Sequence, residues 1–312
     1  MHLKSGMYYY VTTTLPRKWI KLDADLKKAK QLWAKLEGLE VTGTATYSAA
    51  LDKWEMEYLP NLTAGTQLAY TSQIKVTRGA FGHQMLDEIK PVHLYAYLDA
   101  YPSKAQANMG VAIMSSVFVF AMRKGMCDHN PCVGIKKNVM KARGRYITDA
   151  EFIKIRENAT DAVRVAMDIA YISGARLSDV LKITLQDIRP DGLLVIQQKT
   201  GKKQLFEMTP AVEAVIEAAK ALPRKVRGMN LICTRSGKQY TPQSFRDQWD
   251  NACVAAEVKD AHFHDIRGKS ATDAKKLGMD YQKLLGHSTR AMSDRYIKTL
   301  EIDVVTPMKR VK

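Results

Sequence analysis

From Ala107 to Met122 the chain reads as one nearly continuous apolar helix, and a helix that is apolar all round has no face to give to water. It has to lie inside a bundle, so its neighbours in sequence must supply the helices that wrap it. They have the pattern to do so. Between about Thr46 and Ile135 the hydrophobic spacing is helical almost throughout, with Leu51, Trp54, Tyr58 and Leu59 on one face of the first segment. Breaks at Pro60, Gly65, Pro91, Pro102 and Asn130-Pro131 divide the region into about four or five helices. Tyr95, Tyr97 and Tyr101 fall within it, and aromatics at such spacing are more often core than contact surface.

Beyond the bundle the composition changes. Lys136, Lys137, Lys141, Arg143 and Arg145, with Gly144 among them, form a basic linker ending at Thr148-Asp149-Ala150-Glu151, a capping box that opens the next helix. A domain boundary is placed near residue 140. Charge runs of this kind are usually solvated, although a tether crossing a polyanion would want the same charges. At the other end, residues 7–22 read as two aromatic, β-branched strands around a Pro-containing turn. A short helix follows, with Leu26, Ala29, Leu32, Trp33 and Leu36 at helical spacing before Gly38. In the second half, an apolar helix from Val165 to Ile172 meets a Gly174 break. Leu193–Ile196 and Leu205–Met208 then look like two strands joined by the Lys199-Thr200-Gly201-Lys202-Lys203 turn. The expected fold is multidomain and mainly α with small β-sheets. It comprises a β-hairpin and helix module over 1–43, a helical domain over 44–138 and a mixed α+β domain over 139–312.

The charge balance names a class of partner. With 48 basic against 32 acidic residues the net charge is +16, which points to a polyanion such as DNA. An anionic lipid surface is the competitor, but no apolar span of membrane length, signal-peptide pattern or lipidation motif is read. The four cysteines, Cys127, Cys132, Cys233 and Cys253, read as reduced structural thiols in a reducing cytoplasmic setting. A zinc site at Cys127-Asp128-His129-Asn130-Pro131-Cys132 would lack the second half of its tetrahedron.

The last fifth of the chain, with two segments upstream of it, carries residues suited to phosphate chemistry. Attack on a phosphodiester needs a nucleophile, positive charge for the developing phosphorane and an acid for the leaving oxygen. Arg176, in Gly174-Ala175-Arg176-Leu177-Ser178-Asp179, and Arg267, in His264-Asp265-Ile266-Arg267, are permanently charged donor forks for non-bridging oxygens. Asp179 stands one helical turn after Arg176 and is placed to hold it. His264 precedes Arg267 by the same interval, which puts both side chains on one face. His287 follows Leu285-Gly286, and Tyr296 comes nine residues later. A phenol is a poor nucleophile near neutral pH, so two Arg, a Lys and His donors are the surroundings it would need. No Gly-x-x-x-x-Gly-Lys-Ser/Thr loop and no carboxylate cluster for Mg²⁺ is found, and neither a cofactor nor a metal is expected.

The order Arg, Lys, His-x-x-Arg, Leu-Gly-His and late Tyr resembles the tyrosine recombinase (phage integrase) family, strongly over roughly residues 146 to 300. Two local departures bear on loop length: a short interval from Arg267 to His287, and Gly268-Lys269 where His or Ala-Thr is commoner. The resemblance implies a helical DNA-clamping domain ahead of a catalytic domain. It makes Tyr296 the nucleophile and Lys199 the general acid for the 5′ oxygen. It gives His264 proton transfer with the tyrosine and His287 a hydrogen bond to the phosphate. Lys202 and Lys203 become phosphate contacts, with an exchange of roles between Lys199 and Lys202 left open. Tyr281 is the rival nucleophile but lies before the Gly-His pair. Residues 1–43 are similar to the arm-site binding module of lambda-type integrases. The implied activity is cutting and rejoining DNA attachment sites through a 3′-phosphotyrosine and a Holliday junction, to integrate or excise a mobile element. The implied assembly is a homotetramer on DNA in the bacterial cytoplasm, on the nucleoid, aided by a DNA-bending host factor and an excision factor. The tail, residues 297–312, with Val304 and Val305, packs on a neighbouring subunit in this picture or frays. Two alternatives stand beside it: a dimer-resolving enzyme of the same chemistry, and a DNA-binding regulator without catalysis.

Overall fold

Ser5 and Gly6 turn the chain at positive φ (51° and 74°), and this tight reversal pairs His2–Lys4 (β1) with Met7–Val11 (β2). Trp19–Lys21 (β3) adds to the far edge of β2 in antiparallel register, with Tyr9 opposite Lys21. The sheet therefore has one strand more than the residue 7–22 pattern announces. The extra strand is too short for its own alternation to show. In this computed structural model the described residues are 1–12, 16–36, 45–141, 143–226 and 228–298, so Gly38 and residues 299–312 lie outside them. Leu26–Leu36 (α1) buries Ala29 and leaves Leu26, Leu32 and Leu36 exposed.

The chain divides into two units, Met1–Ala142 and Arg143–Lys312. In the first, Tyr47–Glu57 (α2), Ala64–Phe81 (α3), Pro91–Ala100 (α4) and Lys104–Arg123 (α5) form a bundle. Thr46, Thr63 and Ser103 cap three of them by accepting from the backbone N–H three residues on. The apolar helix is at the centre, with Val111, Met114, Val117, Phe118 and Ala121 fully buried against Tyr47, Trp54 and Leu94. By length and composition α5 is apolar enough to cross a membrane, which corrects the absence of such a span read from sequence. Half of that stretch is buried in the bundle, whereas Val119 and Met122 are exposed, so the helix does give one face to water, contrary to its all-round apolar pattern. At Gly110 an added Cβ would stand 2.3 Å from Tyr97 Oη, so the glycine is what lets α4 and α5 close. Tyr97 is core, donating to the buried Gln73, while Tyr95 is exposed and accepts from the Lys136 backbone N–H.

The second unit begins with the expected capping box, Thr148 and Glu151 bonding reciprocally at the start of Asp149–Asn158 (α6). Asp161–Ser173 (α7) is buried along most of its length and ends at Gly174, whose φ of 61° makes it the left-handed cap. Leu177–Val180 (α8) leads to an antiparallel sheet of Ile188–Arg189 (β4), Gly192–Ile196 (β5) and Lys203–Glu207 (β6). Pro210–Lys220 (α9) and Pro242–Ala255 (α10) follow, then Asp265–Lys276 (α11), Tyr281–Leu285 (α12) and Arg290–Asp294 (α13). Trp249 packs edge-on against Phe263 at 5.2 Å and donates to Ala261 O, which anchors the turn leading into α11. All four cysteines are buried and free, and among the described residues no group of three or more His, Cys, Asp or Glu is arranged to hold a metal.

Candidate active site

The left-handed turn after α7, the N-terminus of α11 and the loop after α12 meet around Arg267. Its side chain is 2 % exposed and held by backbone: Nη1 donates to Gly174 O and Nη2 to Leu285 O at 2.9 Å. Nη2 also lies 2.8 Å from His287 Nε2. Because a guanidinium only donates, Nε2 is the acceptor there, and the His287 proton sits on Nδ1, donated to the fully buried Ser293 Oγ at 3.0 Å. Burial, then the positive charges of Arg267, Arg176 and Lys202, push the His287 pKa down to about 4. Burial and the nearby Arg176 likewise lower Arg267, to about 10, which leaves it charged at neutral pH.

The Tyr296 ring is enclosed by these groups. Arg267 Cζ stands 5.0 Å from its centroid, and the His287 and His264 rings are centred 5.3 and 5.6 Å away. His264 occupies the position just before α11 with helical dihedrals, so it and Arg267 share a face as the spacing requires. Its pKa is lowered, by desolvation first and by Arg267 next. The segment carrying the tyrosine is tied down on both sides. Tyr296 N donates to Ser293 O, and Lys298 N donates to Thr272 Oγ1 on α11. Gly268 keeps α11 bare where Tyr296 O and Lys298 Cε pass, 3.5 and 3.4 Å from where a Cβ would sit. Tyr281 has other work: it is buried and donates to Asp294 Oδ1 at 2.6 Å, with Arg290 stacked on its ring.

Arg176 precedes α8 and is partly exposed, with Nη1 donating to Gln197 Oε1 at 3.3 Å. Asp179 lies 3.9 Å from Nη1, an ion pair too long for a hydrogen bond, and accepts instead from the Gln198 backbone N–H at 3.0 Å. It therefore fixes the end of β5 as much as the arginine. Lys199 is exposed on the β5–β6 turn and makes no ion pair or hydrogen bond among the described residues. Lys202 and Lys203 are exposed on the same hairpin. The basic linker splits in two. Lys136, Lys137 and Lys141 are exposed, whereas Arg143 pairs with Asp260 and the buried Asp265, and Arg145 pairs with Glu151. Sequence reasoning did not single out Gln197, Ser293 or the Leu285 and Gly174 carbonyls. A glutamine, a serine and two peptide oxygens carry no motif.

A family model described as the phage integrase family matches residues 146–301, half of the chain. The chain belongs to the phage integrase family. It is thus a site-specific recombinase of the tyrosine class. Among similar proteins, the integrase of Escherichia phage HK022 is 24 % identical over 294 residues, covering 89 % of this chain and 82 % of that one. The integrase of Escherichia phage lambda is 24 % identical over 286 residues, covering 86 % and 80 %. Of solved structures, a lambda integrase dimer bound to a COC′ core site superposes with a TM-score of 0.74 at 22 % identity, over 98 % of this chain and 99 % of that one. A lambda integrase tetramer bound to a Holliday junction gives a TM-score of 0.74 at 22 % identity, over 97 % and 98 %. At this identity the structural likeness shows the shared, mainly helical multidomain fold.

Proposed function

We propose that this family member joins double-stranded DNA attachment sites through Tyr296, integrating or excising a mobile element. The observation that carries the assignment is the Tyr296 ring enclosed by Arg267, His264 and His287. Arg176 and Arg267 bind the non-bridging oxygens of one phosphate and strengthen as charge builds on them. Tyr296 Oη attacks phosphorus while its proton passes to His264, whose lowered pKa keeps it free to accept. The bond from phosphorus to the 5′ oxygen breaks, and Lys199 protonates the departing oxygen. A 3′-phosphotyrosine and a free 5′ hydroxyl result. A 5′ hydroxyl of another strand then attacks the same phosphorus, giving its proton to Lys199, and Tyr296 leaves and recovers its proton from His264. One ester replaces another at each step, so the joined strands need no external energy.

His287 faces Arg267 through an unprotonated Nε2, so to donate to the phosphate it must take up a proton or exchange tautomers as the anion arrives. The lambda structures are of a dimer on a core site and a tetramer on a Holliday junction, which supports a homotetramer on DNA here. The exposed Lys136, Lys137, Lys141, Lys202 and Lys203 serve as phosphate contacts. Arg143 and Arg145 add what their intramolecular pairs leave free. The β1–β3 sheet with α1 binds a second class of DNA site. A DNA-bending host factor and an excision factor complete the assembly, and the setting is the host cytoplasm, on the nucleoid.

The test is a nicked duplex carrying the attachment site, incubated with protein in EDTA and resolved on a denaturing gel. Wild type forms a covalent adduct mapping to Tyr296, and Tyr296→Phe forms none while binding DNA equally. Arg176→Ala and Arg267→Ala each lower cleavage at least about 100-fold. A Tyr296→Phe protein that still makes adduct removes the nucleophile assignment, and one that keeps every activity of the chain makes it a regulator.

A further inference from the structure

Gln197, just past the end of β5, is 3 % exposed, and both ends of its side-chain amide are in use. Oε1 accepts from Arg176 Nη1 at 3.3 Å and from Thr200 Oγ1 at 3.1 Å. Nε2 donates to Leu285 O at 2.9 Å and to Gln204 Oε1 at 2.7 Å. Leu285 O is the same carbonyl that receives Arg267 Nη2, so one amide links Arg176, the turn bearing Lys199 and a backbone oxygen that anchors Arg267. Gln204 on β6 extends the link by donating to Lys283 O and Leu284 O. The glycine between Leu285 and His287 is shaped to this. With φ at 67°, a Cβ on Gly286 would lie 2.3 Å from Gln197 Nε2 and 2.4 Å from Gln204 Oε1. The loop carrying His287 is thus bare where the two glutamines reach in.

We propose that Gln197 is a positioning residue that sets Arg176, the lysine turn and the Leu285–His287 loop at a fixed spacing, with Gln204 as its support. Two arginines that must grip one phosphate repel each other; Arg267 is tied to the turn ahead of Arg176 through Gly174 O, and Gln197 is what reaches the Arg176 side chain itself. A shared acceptor–donor amide adds a side-chain constraint on their separation to that backbone tie before DNA binds. Burial alone does not account for the residue, since both polar ends of its amide are bonded to those segments.

This inference rests on the recombinase reading, and its test separates the two. Single-turnover cleavage of the nicked duplex is measured against DNA concentration for wild type, Gln197→Met and Gln197→Glu, with unfolding midpoints recorded for all three. Methionine keeps the volume and removes every hydrogen bond. The saturated rate of Gln197→Met should fall about 100-fold, the cost of a small misplacement, with the half-saturating DNA concentration within about twofold of wild type. Gln197→Glu keeps an acceptor for Arg176 but cannot donate to Leu285 O, and its saturated rate should lie between the two. A Gln197→Met rate equal to wild type, or a loss confined to the half-saturating concentration, overturns the positioning role. A Gln197→Glu rate equal to wild type overturns its arm toward Leu285. If Gln197→Met does not fold, the Gln197→Glu comparison decides alone. Absence of adduct from wild type on a bound cognate duplex overturns the recombinase reading itself.

Discussion

His287 is neutral for a physical reason: it is buried beside Arg267 and within reach of Arg176 and Lys202, all of one sign. An unfolded histidine titrates near about 6.5, so between there and about 4 the unfolded chain binds a proton that the folded one refuses. The stability due to this residue is therefore complete above about pH 6.5 and is lost as pH falls through 4. The urea midpoint should drop between pH 7 and pH 4.5, and His287→Asn should flatten that slope; NMR titration of the His287 ring should give a midpoint about 4 in the free protein. The lysines raise a different question. Lys199 has the motif position, yet Lys202 is the one whose charge is felt at His287. A substrate with sulfur in place of the 5′ bridging oxygen has a leaving group that needs no proton. It should restore cleavage to Lys199→Ala and not to a variant that has lost a phosphate contact. Rescue of Lys202→Ala instead would exchange the two roles.

At the scale of elements, α11 carries Arg267 and is bolted down by a buried cation two residues on. Lys269 is 2 % exposed and donates to Asp273 at 2.9 Å, to Tyr146 Oη at 3.2 Å and to Asp149. Burial alone would lower its pKa, but these partners carry it above the ordinary lysine value. Tyr146 and Tyr171 also donate to Asp273, so the cluster joins the start of the unit and α7 to α11. Lys269→Met leaves Asp273 facing two hydroxyls without its cation and should cost about 3–5 kcal/mol in urea unfolding. Lys269 is also where the sequence departs from the commoner family pattern, and the structure supplies its occupation. The bundle helices, the capping box, the lysine hairpin and the His264–Arg267 face were legible because periodicity, caps and turn residues act locally. β1 was not, since three residues show no alternation. Nor was the Arg143–Asp265 pair, because the charges of a basic run look solvated until the fold brings a carboxylate from more than a hundred residues away. Gln197 was hidden for the same reason: its partners come from the residue ahead of α8, from β6 and from the end of α12.

At the scale of the whole molecule, each unit has its own hydrophobic core, one around Trp54 and Phe118 and one around Trp249 and Ile169. A fragment of residues 143–312 should therefore fold and form the Tyr296 adduct at high DNA concentration, with weaker binding than the full chain; a fragment that is folded yet inert would place part of the chemistry in residues 1–142. With a net charge of +16, binding by the full chain should fall at least about 1,000-fold between about 50 and 200 mM salt, measured by titration of labelled duplex. The four cysteines have a practical consequence. All are buried, and burial raises the thiol pKa of Cys127, Cys132 and Cys253, which keeps the reactive thiolate scarce. The native chain should accordingly react little with maleimide, and a single cysteine introduced on the exposed hairpin would then accept a fluorophore there, giving a site-specific optical report of the lysine turn as DNA is engaged and released.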